Sequence, residues 1–124
     1  MSTLRATTLS NVAGTGSPVI TAGELSRARF SLNGTGTIAA RDSFNIASFT
    51  DNGTGDYTST FSTAMPNADY TFLYGGLDAS VICLTSGKLS VPPTVNACRV
   101  TTFNGSIAAA DVSYITGAFF GDIP

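Results

Sequence analysis

Eight acidic side chains are the main groups in this sequence equipped for general acid and base chemistry: Glu24, Asp42, Asp51, Asp56, Asp69, Asp78, Asp111 and Asp122. Histidine is absent, which removes imidazole bases, Ser-His-Asp triads, Cys-His pairs and imidazole metal ligands. Glycoside hydrolysis needs only two suitably separated carboxylates, so it is the enzymatic option that survives. Most of these acids nevertheless fall at expected strand ends and turns, where Asp accepts hydrogen bonds from nearby backbone N–H groups. Trp, the broadest aromatic platform for a sugar, is missing as well. The expectation is a non-enzymatic chain with no catalytic residue, no cofactor and no metal site.

Three further patterns invite chemistry and are better explained by turns. Asp51-Asn52-Gly53-Thr54-Gly55-Asp56 carries oxygen ligands at alternating positions, like the start of a calcium loop. The twelfth position, where an EF-hand needs a bidentate Glu, is Ser62, and no tandem Gly-x-Gly-x-Asp repeat follows. Asn33-Gly34-Thr35, Asn52-Gly53-Thr54 and Asn104-Gly105-Ser106 match the glycosylation acceptor pattern. The N-terminal stretch shows no apolar signal-peptide core, so synthesis in a cytosol is expected and those Asn-Gly pairs are read as hairpin turns. Gly34-x-Gly36 and Gly53-x-Gly55 lie between strands, without the helix N-terminus that a phosphate cradle requires. Cys83 and Cys98 are expected as free, buried thiols.

The elements that position these residues read as short β-strands. From Arg27 onward, runs rich in β-branched and aromatic residues alternate with Asn-Gly, Gly-Gly, Ser-Gly and Pro-Pro signals. The spacing predicts a hairpin of 28–32 with 37–41 around Asn33-Gly34-Thr35-Gly36, and a second of 44–50 with 57–62 around the repeated Asn-Gly-Thr-Gly. Pro66 makes 64–68 a loop before a strand over 69–74, in which Tyr70, Phe72 and Tyr74 share one face. Shorter strands are expected at 80–84 and 89–91, with a turn at Ser86-Gly87. Asn104-Gly105 predicts a two-residue turn between 98–103 and 106–109, and a last strand covers 112–120. Among the aromatics, mostly core, Tyr57, Tyr74 and Tyr114 are candidates to face a ligand.

The expected fold is therefore all-β: an antiparallel β-sandwich, jelly-roll-like, over residues 27–124, preceded by an extended N-terminal arm over residues 1–26. In the arm, Leu4, Leu9, Val12, Val19 and Ile20 are too thinly spread to build a core and suit docking onto another subunit or another protein. Only 11% of the 124 residues are charged, which favours self-association. The net charge of −2, with Arg5, Arg27, Arg29, Arg41, Lys88 and Arg99 scattered, argues against a nucleic-acid partner. No segment reaches the length of an apolar membrane span.

The order of three motifs carries a resemblance. Asn33-Gly34-Thr35-Gly36-Thr37, then Thr50-Asp51-Asn52-Gly53-Thr54-Gly55-Asp56-Tyr57-Thr58, then Ala64-Met65-Pro66-Asn67-Ala68-Asp69-Tyr70, together resemble a module of bacteriophage tail-fibre and other virion appendage proteins. The resemblance covers about residues 27–74, and Met1–Leu9 is similar to the opening of short phage proteins that carry the module. It implies a homotrimer on a virion, attached through residues 1–26 to other virion proteins, with residues 75–124 as the place to seek contact with a host surface glycan or protein. A short tail fibre or fibre tip is the leading expectation, and a head decoration (cement) protein the alternative.

Overall fold

Asn33 closes its hairpin with its own side chain: Oδ1 accepts from both the Thr35 amide, at 3.1 Å, and the Thr35 hydroxyl, at 2.7 Å. This local bond offers the backbone a turn in place of a continued strand, and it joins β1 (Ala28–Asn33) to β2 (Ala39–Phe44) as an antiparallel pair. The second Asn-Gly-Thr-Gly likewise joins β3 (Ile46–Gly53) to β4 (Asp56–Phe61), but there Asp51 accepts the turn amide, of Gly53, and Asn52 donates to the Thr58 hydroxyl. Four further strands follow: β5 (Thr71–Leu77), β6 (Cys83–Gly87), β7 (Ala97–Asn104) and β8 (Tyr114–Phe120). The structure is a computed structural model that describes residues 26–78, 83–88 and 90–122. The arm expected over 1–26 lies outside the described residues, apart from Ser26.

The strands form two four-stranded antiparallel sheets, ordered β2-β1-β8-β5 (sheet A) and β3-β4-β7-β6 (sheet B). No helix occurs among the described residues, so none is long and apolar enough to cross a membrane. The sheets meet face to face, with Phe30 of β1 edge-on to Phe49 of β3 at 5.1 Å and Phe119 of β8 edge-on to Phe61 of β4 at 5.0 Å. The expected two-sheet architecture stands. The jelly-roll order holds only in part: β1 pairs with β8, first with last, as in such a fold, but β2 pairs with β1 and not with β7, and β3 with β4 and not with β6, as sequence-local hairpins. Tight turns and short connections keep neighbours in sequence neighbours in the sheet.

Asn45 moves the chain from one sheet to the other. It sits at φ 57°, a conformation that Asn tolerates better than most residues. Its side chain donates to the Arg27 and Thr63 carbonyls and accepts from the Thr63 amide. The strand expected over 44–50 is therefore split: Phe44 ends β2 and Ile46 begins β3. A register shift between Ile46 and Ser48 then turns Phe49 inward, reversing the alternation read from the sequence.

The later strands depart most from expectation. Gly75-Gly76 and Ser86-Gly87, read as turns, lie inside β5 and β6, where pairing with β8 and β7 outweighs their weak strand preference. Of the strand expected over 80–84, residues 80–82 lie outside the described residues. Leu89 does too, and Ser90 and Val91 belong to a turn in which the Val91 amide donates to the Lys88 carbonyl at 2.9 Å. The strand expected over 106–109 is reduced to one bridge, Phe103 with Ala109. Asn104 captures the amides of Ser106 and Ala108 with its side chain, and its own amide donates to the Ala108 carbonyl. That makes a wider loop, with Ile107 at φ 59°, instead of a two-residue turn.

Candidate functional site

The outer face of sheet A is apolar. Register places Leu73, Ala118, Arg29 and Phe44 in one row across all four strands, and Leu77 beside Tyr114 in another. Alternation turns these side chains away from the core, and Leu73 (61% exposed), Leu77 (64%), Phe44 (53%) and Tyr114 (40%) stand open to solvent. Small residues, Ala118 in the first row and Gly75 and Thr116 between the two, floor a shallow depression of about 440 Å³. Two arginines of this face lie over rings: Arg41 Cζ is 3.9 Å from the centre of Tyr114, and Arg29 Cζ is 5.9 Å from that of Phe44. Arg29 also pairs with Asp42 at 2.9 Å, leaving that wing of the face electrically neutral.

The outer face of sheet B is chemically different. Hydroxyl pairs stand across its strands, Ser48 with Thr60, Thr50 with Thr58, and Ser86 with Thr101, and an apolar pair, exposed Leu84 with Phe103, lies at the β6 edge. At one end, Asp56 accepts from Arg99 Nε at 2.5 Å and Nη2 at 2.8 Å, and from Lys88 Nζ at 2.8 Å. The Arg99 hydrogen bond, joined by Lys88 and opposed by partial burial, holds the Asp56 carboxyl below the usual carboxylate range, and the same contact raises Arg99. Two hollows flank the cluster. One, of about 320 Å³, lies among Phe72, Gly87, Lys88, Pro92, Pro93 and Arg99. The other, of about 480 Å³, lies towards Thr54, Thr101 and Phe103.

Replacing Asp56 with Asn is expected to cost about 2 kcal/mol at pH 7, because it removes the one negative charge that two partly covered cations share and leaves them a single acceptor oxygen. Since the folded pKa is depressed, the contribution is complete above the ordinary carboxylate value, about pH 4, and is lost as pH falls through the lowered value. Urea midpoints of the two proteins should differ by a constant amount between pH 5 and 8 and converge below pH 4. A gap that stays constant down to pH 2 would refute the assignment.

Among the acids singled out in the sequence, Asp51 serves its own turn, as expected, whereas Asp42, Asp56, Asp111 and Asp122 bond partners far away in the chain. Asp51 Oδ1 accepts from the Gly53 amide at 2.9 Å, and Asp122 accepts from Asn67 at 3.1 Å. Both oxygens of Asp56 are committed to cations, so the two ends of the calcium-like hexapeptide are already engaged. Asp111 is the busiest: its Oδ1 accepts from the Gly55 amide at 2.8 Å and from the Tyr57 hydroxyl at 2.6 Å. Glu24 lies outside the described residues, and no group of three or more Cys, Asp or Glu gathers among the described ones.

Of the three tyrosines read as possible ligand contacts, only Tyr114 is exposed. Tyr57 is fully buried under the Gly34 turn, where burial followed by its bond to Asp111 pushes its hydroxyl up. Tyr74 is half-buried, its hydroxyl 2.9 Å from the sulfur of Cys98, and burial likewise raises it.

The two cysteines are free; Cys98 is buried as expected, but Cys83 is only half-buried. They sit on neighbouring strands far out of register. Cys83 lies opposite Asn104, six residues beyond Cys98, or about 20 Å along β7, several times the reach of a disulfide. Burial raises both thiols. A thiol reagent at pH 8 should modify Cys83 slowly in the native protein and Cys98 only after unfolding; equal native rates would contradict this packing.

The cluster of Asp56, Arg99 and Lys88 escaped sequence reading because its members lie 43 and 32 residues apart and meet only through the pairing of β4 with β7 and of β7 with β6. The apolar outer face did leave a signal. In Tyr70-Thr71-Phe72-Leu73-Tyr74, Leu73 breaks the alternation, marking a strand that is apolar on both sides. Compared with protein-family models, with curated proteins and with solved structures, the chain gives no match.

Proposed function

We propose that this chain is a non-enzymatic structural subunit of a bacteriophage virion, a short tail fibre or fibre tip that takes part in host adsorption. It works as a homotrimer, with residues 1–26 as its attachment to other virion proteins. The motifs within residues 27–74 support the virion placement, and one structural observation carries the assembly: the open apolar face of sheet A. Four large apolar side chains exposed on one sheet face, in a chain with 11% charged residues, are the composition of an interface core with little to keep copies apart.

The purified chain should run in light-scattering chromatography at three times its 12.7 kDa, and Leu73→Glu with Leu77→Glu should reduce it to monomer while the fold persists. In intact particles, quantitative gels and electron microscopy should find a few dozen copies at the tail. Hundreds of copies on the head would convert the reading to decoration protein. A monomer at tens of micromolar, or a particle lacking the chain, would overturn it.

A further inference from the structure

The cleft beside Lys88 exists because β6 is short. It pairs with β7 only as far as Gly87 opposite Val100, so Cys98 and Arg99 run on with no strand on that side. Val91, Pro92 and Pro93 curve past the gap and complete a hollow of about 320 Å³, at the lower end of the sizes that hold small ligands. Its walls are largely apolar. Gly87 places no side chain over the Phe72 ring, which a Cβ there would meet at 3.1 Å. The two prolines contribute ring faces and no amide donors.

The rim is charged in one sense. Lys88 and Arg99 share the single carboxylate of Asp56, so the cluster keeps one net positive charge. Arg99 spends Nε and Nη2 on Asp56, leaving Nη1 without a partner among the described residues. Lys88 spends one of its three N–H groups there. Ser86 adds a hydroxyl whose oxygen can still accept. The ligand that fits is a small carboxylate with one flat apolar face and several hydroxyls. A neutral sugar offers the cations hydroxyl acceptors but no counter-charge, and a bare phosphate leaves the apolar wall wet.

We propose that this cleft binds a carboxylated monosaccharide of the hexuronate type. Its carboxylate lies on Lys88 Nζ and Arg99 Nη1, and the C–H face of its ring lies against Pro92, Pro93 and Phe72. The assignment rests on the reading of the chain as an adsorption subunit, and it names the class of surface glycan contacted.

The test is titration of the isotope-labelled full chain with glucuronate, glucose and inorganic phosphate at 50 mM salt, followed by amide NMR. Glucuronate should shift Gly87, Lys88 and Arg99 at concentrations at least tenfold lower than glucose or phosphate. Lys88→Met should weaken it at least fivefold with the rest of the spectrum unchanged. Phosphate as effective as glucuronate would reduce the site to a simple anion contact and overturn the proposal, as would glucose equal to glucuronate, or no shift at these residues. Failure here leaves the virion placement standing, whereas a particle without the chain removes the placement and leaves the binding result intact.

Discussion

Phe119→Ala should be the most damaging single truncation in the core, costing about 3–5 kcal/mol. Phe119 is fully buried at the centre of an aromatic cluster, with ring centres of Phe30, Phe61, Tyr70 and Tyr74 between 5.0 and 6.1 Å away. Three of those contacts are edge-to-face, the arrangement in which the positive edge of one ring meets the negative face of the next. They also join both sheets, since Phe30 and Tyr74 come from sheet A and Phe61 from sheet B. Alanine leaves a void that four rings on paired strands cannot close together. For a domain of this size the melting temperature should fall by about 15–30 °C, measured at one fixed protein concentration so that assembly does not enter the comparison. Phe44→Ala is the control: it is exposed, and its loss should leave the isolated subunit within about 0.5 kcal/mol. A Phe119→Ala protein that loses less than 1 kcal/mol would mean that this cluster is not the core.

That core was legible in the sequence where period and turn chemistry agreed. Tyr70, Phe72 and Tyr74 at spacing two announce one face of a strand, and all three turn inward, Tyr70 against Phe61 and Phe72 against Tyr74. Both Asn-Gly-Thr-Gly turns close hairpins where expected. Expectation failed where a side chain or a distant strand took over the backbone. At Asn104 the same residue pair produced a wide loop, because its amide oxygen captured two later N–H groups. Gly75-Gly76 and Ser86-Gly87 look like turns locally, yet each is held extended by a later strand, Thr116 and Ile115 of β8 for the first pair and Thr101 and Val100 of β7 for the second. Local reading has no access to such partners.

The same limit explains why the two candidate surfaces differ in how visible they were. An outward leucine in an otherwise alternating strand can be noticed within five residues, so the apolar face of sheet A has a signature. The cluster at Asp56 needs knowledge that β4 and β7 are neighbours, and the cleft beside it needs knowledge of where β6 stops. Both surfaces nevertheless arise from one design: each sheet has one face committed to the common core, and the outward positions are mostly apolar groups in sheet A and mostly hydroxyls in β3 and β4 of sheet B.

Gly55→Ala should be the second large loss, and Gly36→Ala separates its causes. Both glycines sit in the left-handed region, at φ +63° and φ +62°, in the two Asn-Gly-Thr-Gly turns. An alanine pays about 1 kcal/mol for that conformation at either position. At Gly36 nothing lies within 4 Å of the added Cβ, so this is the whole cost. At Gly55 the Cβ meets the Thr102 carbonyl oxygen and the amide and carbonyl of Ala110, at 2.8 and 2.9 Å, all of them backbone and unable to rotate away. Relief requires the turn to move off β7, which breaks the Thr102 amide to Gly55 carbonyl bond and the Gly55 amide to Asp111 bond, both 2.8 Å. Asp111 would then lose a donor, and its contact with the buried Tyr57 hydroxyl would be disturbed. The total should reach about 3–5 kcal/mol, in the range of backbone-incompatible substitutions. Denaturation of the two variants should differ by at least 2 kcal/mol, and hydrogen exchange at Thr102 should accelerate in Gly55→Ala alone. Equal losses would show that φ is the only constraint and that the turn does not bear on β7.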